Sequence, residues 1–215
     1  MPETNRGKPE LRDLLDALSE SKSVHLDVLK YVLEADSRKL FLLDLLACGV
    51  VNRSMALVDG FCLLISNDNY LSAAPLLRIQ IDNILRFYAT SLVDDPHELS
   101  RQLLAGTPLR KIRDREGNKM QDAYLVKRLR KNVSWLEDVY SSTSGFVHLS
   151  ERHIYACFDG GISDAGETKI CIGPDSINVP LRVKVEAIQA FSEATSIVLS
   201  LVRQWGETKE RASGS

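Results

Sequence analysis

Three groups of residues in this 215-residue chain have the types and the spacing to do chemistry. Arg78, Asp82 and Arg86 stand four residues apart, so on a helix they stack along one flank. Charge on such a flank needs partners, because an unpaired buried ion is strongly unfavourable. Two readings follow: an internal salt-bridge ladder that fixes helix packing, or an arginine turned into a cleft to hold an anion such as phosphate. Tyr140, Ser144 and His148 repeat the spacing of four and are followed by Glu151, Arg152 and His153. On a helix that reaches His148 the three share a face, where a histidine titrating near neutrality can serve as acid or base. The plainer reading is a hydrogen-bonded histidine closing a helix end. Since both sets flank apolar stripes, Ser144 or His148 is expected to hydrogen-bond with Arg78, Asp82 and Arg86 in one polar network.

The third group is basic. Between Leu109 and Asn132, Arg110, Lys111, Arg113, Arg115, Lys119, Lys127, Arg128, Arg130 and Lys131 are set against only Asp114, Glu116 and Asp122. Contact with nucleic-acid phosphates is the functional reading of Arg110, Lys111, Arg113, Lys127, Arg128, Arg130 and Lys131. A solvated helix face is the other, and Tyr124 as the single aromatic residue before Trp135 favours it.

Other chemistry finds little support. The chain has no phosphate-binding glycine loop, dinucleotide fingerprint, His-Glu-x-x-His or Gly-x-Ser-x-Gly, so no cofactor is expected. His148 and His153 stand five apart, which is not the helical spacing of a zinc pair, and no metal site is expected. Cys48 and Cys62 share a helix at too great a distance to bridge, and reduced thiols are expected throughout. Only a hairpin would bring Cys157 opposite Cys171.

These groups are carried by helices. Leu11, Leu14, Leu15 and Leu18, then Val24, Val28, Tyr31 and Val32, recur at helical spacing. Arg38 to about Asn67 is apolar on almost every side, as a central helix is. Asn69 can cap the next helix, which runs to about Val93 with Pro75 in its first turn or starting it afresh, and with Ala73, Leu77, Ile81, Ile84 and Tyr88 on one core stripe. A short helix over Glu98 to Leu104 follows, then one through Leu125, Leu129, Val133 and Leu136 to Tyr140, ending around Ser144 to His148. Ile154, Ala156 and Phe158 alternate, as do Ile170 and Ile172, which predicts a small β-hairpin with a glycine-bearing link and Pro174 and Asp175 at its close. In the last helix Ala187, Phe191, Ala194, Val198, Leu201 and Trp205 form a regular seam beside a second row of Val185, Ile188, Leu199 and Val202. So wide an apolar face predicts neighbours on two sides and hence a homo-oligomer.

The expected fold is therefore all-α: a single domain over residues 1–215, a bundle of five to seven helices with a hairpin insertion near 153–172 and a polar, fraying tail from about Glu207. A net charge of −2 argues against a polycation, and 44% hydrophobic with 26% charged residues is a globular balance. The run Leu40 to Val51 is shorter than the ~20 residues that cross a bilayer, and residues 1–10 lack the apolar core of a secretory signal. A cytoplasmic protein is expected.

Arg53-Ser-Met-Ala-Leu-Val-Asp-Gly, Ser72-Ala-Ala-Pro-Leu-Leu-Arg-Ile-Gln-Ile-Asp and Tyr140-Ser-Ser-Thr-Ser-Gly-Phe-Val-His148 together resemble a group of uncharacterised bacterial helical proteins, over roughly Arg38 to Ile172. The resemblance implies a bundle similar to HEPN domains, some of which cleave RNA while others are inert binding or dimerising modules, and it implies a defence or stress setting. The nucleases of that group carry Arg-x-x-x-x-His. Here Thr143 stands five before His148, and no histidine has an arginine at that position, so the nuclease site does not carry over. A non-catalytic binding or oligomerising module is the expected function. An enzyme cleaving RNA phosphodiesters, with His148 as acid or base, is the alternative.

Overall fold

The computed structural model describes residues 7–148, 150–159, 169–173 and 179–213. Eight α-helices form among them: α1 (Gly7–Glu34), α2 (Leu42–Ser66), α3 (Tyr70–Tyr88), α4 (Pro96–Leu104), α5 (Asp122–Leu129), α6 (Leu136–Ser144), α7 (Glu151–Tyr155) and α8 (Leu181–Ser213). Two short strands, β1 (Phe158–Asp159) and β2 (Lys169–Ile170), pair antiparallel with Phe158 opposite Ile170. The fold is an all-α bundle, with eight helices where five to seven were expected.

The Asn69 side chain starts α3 by accepting the Ser72 N–H at 3.3 Å. Its stripe of Ala73, Leu77, Ile81 and Ile84 is buried, and the helix packs on α2 and α8, with α5 and α6 on its remaining side. Pro75 falls in the second turn rather than the first, which removes the ladder bond to the Leu71 carbonyl near the helix start. Around α2, the residues Val51, Val58, Phe61 and Ile65 are sealed by α1, α3 and α8, and Phe61 stacks on Phe191 with ring centres 4.2 Å apart. One continuous core results.

Several expectations change. The stretch over 122–144 is two helices, because the N–H groups of Asn132 and Val133 both close on the Leu129 carbonyl and end α5. Asparagine and serine at 132 and 134 and β-branched Val133 are residue types of low helix propensity, yet the apolar period runs on across the break since both pieces pack on α3. Ile154 belongs to α7, so the strand begins only at Phe158. The glycine-bearing link from Gly160, and the Pro174–Asp175 turn, lie outside the described residues.

From Glu207 the chain does not fray: α8 continues to Ser213, and the Lys209 side chain is fully buried. Both apolar rows of α8 meet α1, α2 and α3 of the same chain, with Phe191, Val198, Ile188 and Val202 wholly buried. Val185, Leu201 and Trp205 of the same rows stay partly accessible. Both α2 and α8 are long and apolar enough to cross a membrane by length and composition, which the run from Leu40 to Val51 understated because Arg53 and Asp59 do not end α2. In the bundle these two helices pack on each other and on α1 and α3.

Candidate anion-binding cleft

Arg78, Asp82 and Arg86 share one flank of α3, but two residues from other helices complete the charge pairing. Arg86 Nη2 meets Asp82 Oδ1 at 2.7 Å and Asp122 Oδ1 at 3.2 Å, and Arg78 Nη2 meets Asp122 Oδ2 at 3.1 Å. Arg53, from α2, donates to Asp82 Oδ2 at 3.0 Å and to Asn83 Oδ1 at 3.1 Å. The Arg78 guanidinium also lies over the Tyr140 ring, 4.0 Å from its centre. Three arginines thus face two aspartates, which leaves one positive charge in excess. The sequence pattern contains the α3 flank; Arg53 and Asp122 had no signal at helical spacing from it.

Beside this ladder lies a cleft of about 400 Å³ lined by Arg53, Arg78, Asp82, Tyr140, Ser144 and His148, with Ile79 and Val147 as apolar wall. The helix carrying Tyr140 ends at Ser144, and the turn through Gly145 brings His148 to the cleft mouth, where it is exposed. The expected network does not form. Among the described residues, neither Ser144 nor His148 hydrogen-bonds to Arg78, Asp82 or Arg86. Asp122 and Tyr140 occupy the place facing Arg78, and the Ser144 hydroxyl donates to the Tyr140 carbonyl at 2.6 Å.

A second cleft, of about 510 Å³, opens on the other side of the ladder between Arg86, Asp122, Arg110 and Gln121, with Leu103, Pro108 and Leu109. Arg110 therefore belongs to a concave surface. Much of the remaining basic segment is engaged internally: Arg113 donates to the Gly117 carbonyl, Arg128 pairs with Glu116 at 2.8 Å and Arg130 with Glu137 at 2.6 Å. Arg115 donates to the carbonyls of Ser91 and Val93, each at 2.8 Å. The turn that orders these side chains centres on Asp114, whose carboxylate accepts from the Glu116 and Asn118 N–H groups and from the Tyr124 hydroxyl, with Gly117 at φ +84°. Burial alone would raise the Asp114 carboxyl, but these hydrogen bonds outweigh it and hold the group below its ordinary value. Lys111, Lys127 and Lys131 remain exposed.

Behind Arg53 a chain of buried polar groups crosses the core. Asn83 accepts from Arg53 and donates to Gln80 Oε1 at 3.0 Å; Gln80 Nε2 reaches Ser54 Oγ at 2.6 Å and Thr195 Oγ1 at 3.0 Å; Ser54 lies 2.9 Å from His25 Nε2. His25 Nδ1 faces the Ser21 carbonyl at 2.8 Å, so Nδ1 carries the hydrogen and Nε2 accepts from Ser54. Burial pushes this imidazole below its ordinary value, against a smaller upward pull from the Ser21 carbonyl. The available signal was positional: Ser54 and Gln80 sit on the apolar stripes of α2 and α3, three or four residues from Val51, Val58, Leu77 and Ile84.

A separate polar cluster is closed. Lys209 Nζ donates to Asp44 Oδ2 at 3.0 Å and to the carbonyls of Val32 and Lys39 at 2.8 and 3.0 Å, while Asp44 also accepts from Trp205 Nε1 and the Phe41 N–H. The ammonium thereby clasps the link between α1 and α2, where Asp36, Ser37 and Arg38 all adopt positive φ, an unfavourable conformation for residues bearing a Cβ. All four cysteines are free thiols, and burial first, with Asp59 second, pushes Cys62 up to about 11. Among the described residues, no three His, Cys, Asp or Glu side chains gather as a metal site. Compared with known protein families, with curated proteins and with solved structures, the chain finds no match.

Proposed function

We propose that this protein is a non-catalytic binding module that takes an anionic group in the cleft between α2, α3 and α6. The observation that carries the reading is the charge imbalance of the ladder, three arginines to two aspartates, at an open cleft of about 400 Å³. Guanidinium groups offer five donors each, and the ladder uses only part of them, so donors remain for phosphate or carboxylate oxygens. The cleft is of small-molecule size. Binding rather than catalysis is favoured because the Ser144 hydroxyl is committed to a backbone carbonyl and, among the described residues, no basic side chain hydrogen-bonds to it. The HEPN-like kinship, the bacterial origin and a defence or stress role rest on the sequence resemblance, a cytoplasmic setting rests on the sequence reading of the apolar runs, and self-association rests on the wide apolar face of α8, where Val185, Leu201 and Trp205 stay partly accessible.

Titration with methylphosphonate, followed by calorimetry and by the His148 imidazole resonances, tests the reading. Saturable binding is expected, with Arg53→Gln weakening it about tenfold, as the loss of a hydrogen bond to a charged group does. No saturation, or no effect of Arg53→Gln, refutes it. One observation favours the enzymatic alternative: the cleft does place His148 and Arg78 on one surface. Hydrolysis of an RNA oligonucleotide that His148→Ala abolishes, without lowering the melting temperature, would replace the binding module by a phosphodiesterase.

A further inference from the structure

We propose that the natural ligand is a small molecule with two anionic groups held apart by a spacer, one group in each of the two clefts that flank the arginine–aspartate ladder. The inference rests on the anion-binding reading of the first cleft and extends it across the ladder to the second. Each cleft takes two residues of the ladder, Arg78 and Asp82 in the first and Arg86 and Asp122 in the second, and the Arg78–Asp122 and Arg86–Asp82 ion pairs join the two linings. Each side adds one further arginine. Arg53 lines the first cleft and Arg110 the second, so each holds two arginines against one aspartate and carries one positive charge in excess.

The two added arginines differ in a useful way. Arg53 is oriented by Asp82 and Asn83, whereas Arg110 is exposed and has no ion-pair partner among the described residues. Ligand charge in the second cleft would give Arg110 the partner the fold does not supply. The second cleft also has an apolar wall of Leu103, Pro108 and Leu109 beside the Gln121 amide, suited to a spacer with carbon skeleton and few polar atoms. Spacer length is bounded by the wall. Arg78 and Arg86 are eight residues apart on α3, about 12 Å along the axis at 1.5 Å per residue, although both reach inward to Asp122. Two groups sharing a single bridging atom therefore cannot occupy both clefts.

A ladder of alkane bisphosphonates, from methylene to octamethylene, measures this directly by titration calorimetry against the full chain, with methylphosphonate as the single-group reference. Affinity should rise to a maximum at an intermediate spacer and exceed methylphosphonate on the order of 100-fold, as joining two sites through a fitting linker does. Arg110→Gln should return the best bisphosphonate to the methylphosphonate level, while methylphosphonate still binds in the first cleft, as followed by the His148 resonances. Arg53→Gln should weaken both. A flat dependence on spacer length, or an Arg110→Gln variant that binds the best bisphosphonate like the parent, overturns the two-group ligand yet leaves the single-cleft reading intact. If neither probe class binds, both fall together. A short single-stranded oligonucleotide that binds more tightly than every bisphosphonate overturns the small-molecule assignment. Circular dichroism of each variant, expected to match the parent because both arginines are exposed, separates lost binding from lost fold.

Discussion

Lys209 reaches Asp44 with no side-chain surface of either partner left to solvent, whereas Arg53 keeps 47% of its side chain exposed while it holds Asp82. Both regions pair a cation with an aspartate across helices, and both connect to backbone or side-chain acceptors beyond the pair. They differ in stoichiometry and in access. The closed cluster is one ammonium against one carboxylate, with the surplus donors directed at the carbonyls of Val32 and Lys39, so it has nothing to offer a ligand. The open ladder is three against two and borders two clefts. Pairing of charges is thus no sign of function by itself; an unbalanced count beside accessible volume is.

The contrast is sharpest at Lys209. Lys209→Met should destabilise the fold by about 3–5 kcal/mol, because Asp44 is left charged and buried and the left-handed turn loses its clasp. Urea unfolding measures this, and a cost under about 1 kcal/mol, the range of surface pairs, would erase the distinction drawn between the two clusters. Next in size is Gly206, which passes Lys209's neighbours on α1. A Cβ there would stand 2.7 Å from Tyr31 Cε1 and 3.2 Å from Val32 Cγ2. Alanine normally favours a helix over glycine by about 1 kcal/mol, but overpacking costs about 1–3 kcal/mol, so Gly206→Ala should lower the melting temperature.

The buried chain behind the ladder gives a pH signature of its own. His25 is held below its ordinary value of 6.5, so as pH falls the unfolded chain takes up the proton first. The stability it contributes is complete above pH 6.5 and is lost as the pH drops below that value toward the folded-state value. The slope should approach, at most, about 1.4 kcal/mol per pH unit, the contribution of one proton. Urea midpoints between pH 7.5 and pH 5 should show it in the parent and not in His25→Gln. The smallest effect on stability belongs to the most functional residue: Arg53→Gln should change it by less than about 1 kcal/mol, as half-exposed pairs do, while reducing anion binding. A large stability loss there would make the ladder a structural cluster like the other.

How far sequence alone reaches depends on what kind of interaction decides each feature. The start and core face of α3 were legible because a capping asparagine and a 3.6-residue stripe act locally, whereas its end was not: the α-helix stops at Tyr88 and a 3-10 turn over Ala89–Leu92 carries the chain to the Asp94-Asp95-Pro96 turn. The division of 122–144 was not, since the apolar period continues through residues that are not helical and only packing on α3 shows both pieces using it. Lys209 sat in a stretch that reads as polar and fraying; its partner is 165 residues away. The flank of Arg78, Asp82 and Arg86 was visible as a ladder, but its completion by Arg53 and Asp122 is tertiary, as is the placement of His148 along the cleft without a bond to the arginines.

The chain from His25 to Arg53 has a further consequence for how the bundle knows its own alignment. Apolar side chains are tolerant neighbours, and a helix that slides one turn, about 5.4 Å, along a greasy groove meets surroundings much like those it left. Ser54, Gln80 and Thr195 are not tolerant, because each is bonded to a residue of another helix, and the direction of every hydrogen is fixed from the Ser21 carbonyl onward. Sliding α1, α2, α3 or α8 by a turn would strand at least one of these groups without water or partner, at about 1–3 kcal/mol apiece. Four helices are thereby keyed to a single alignment, and the arginine at the end of the chain inherits a fixed place from a histidine on the far side of the core.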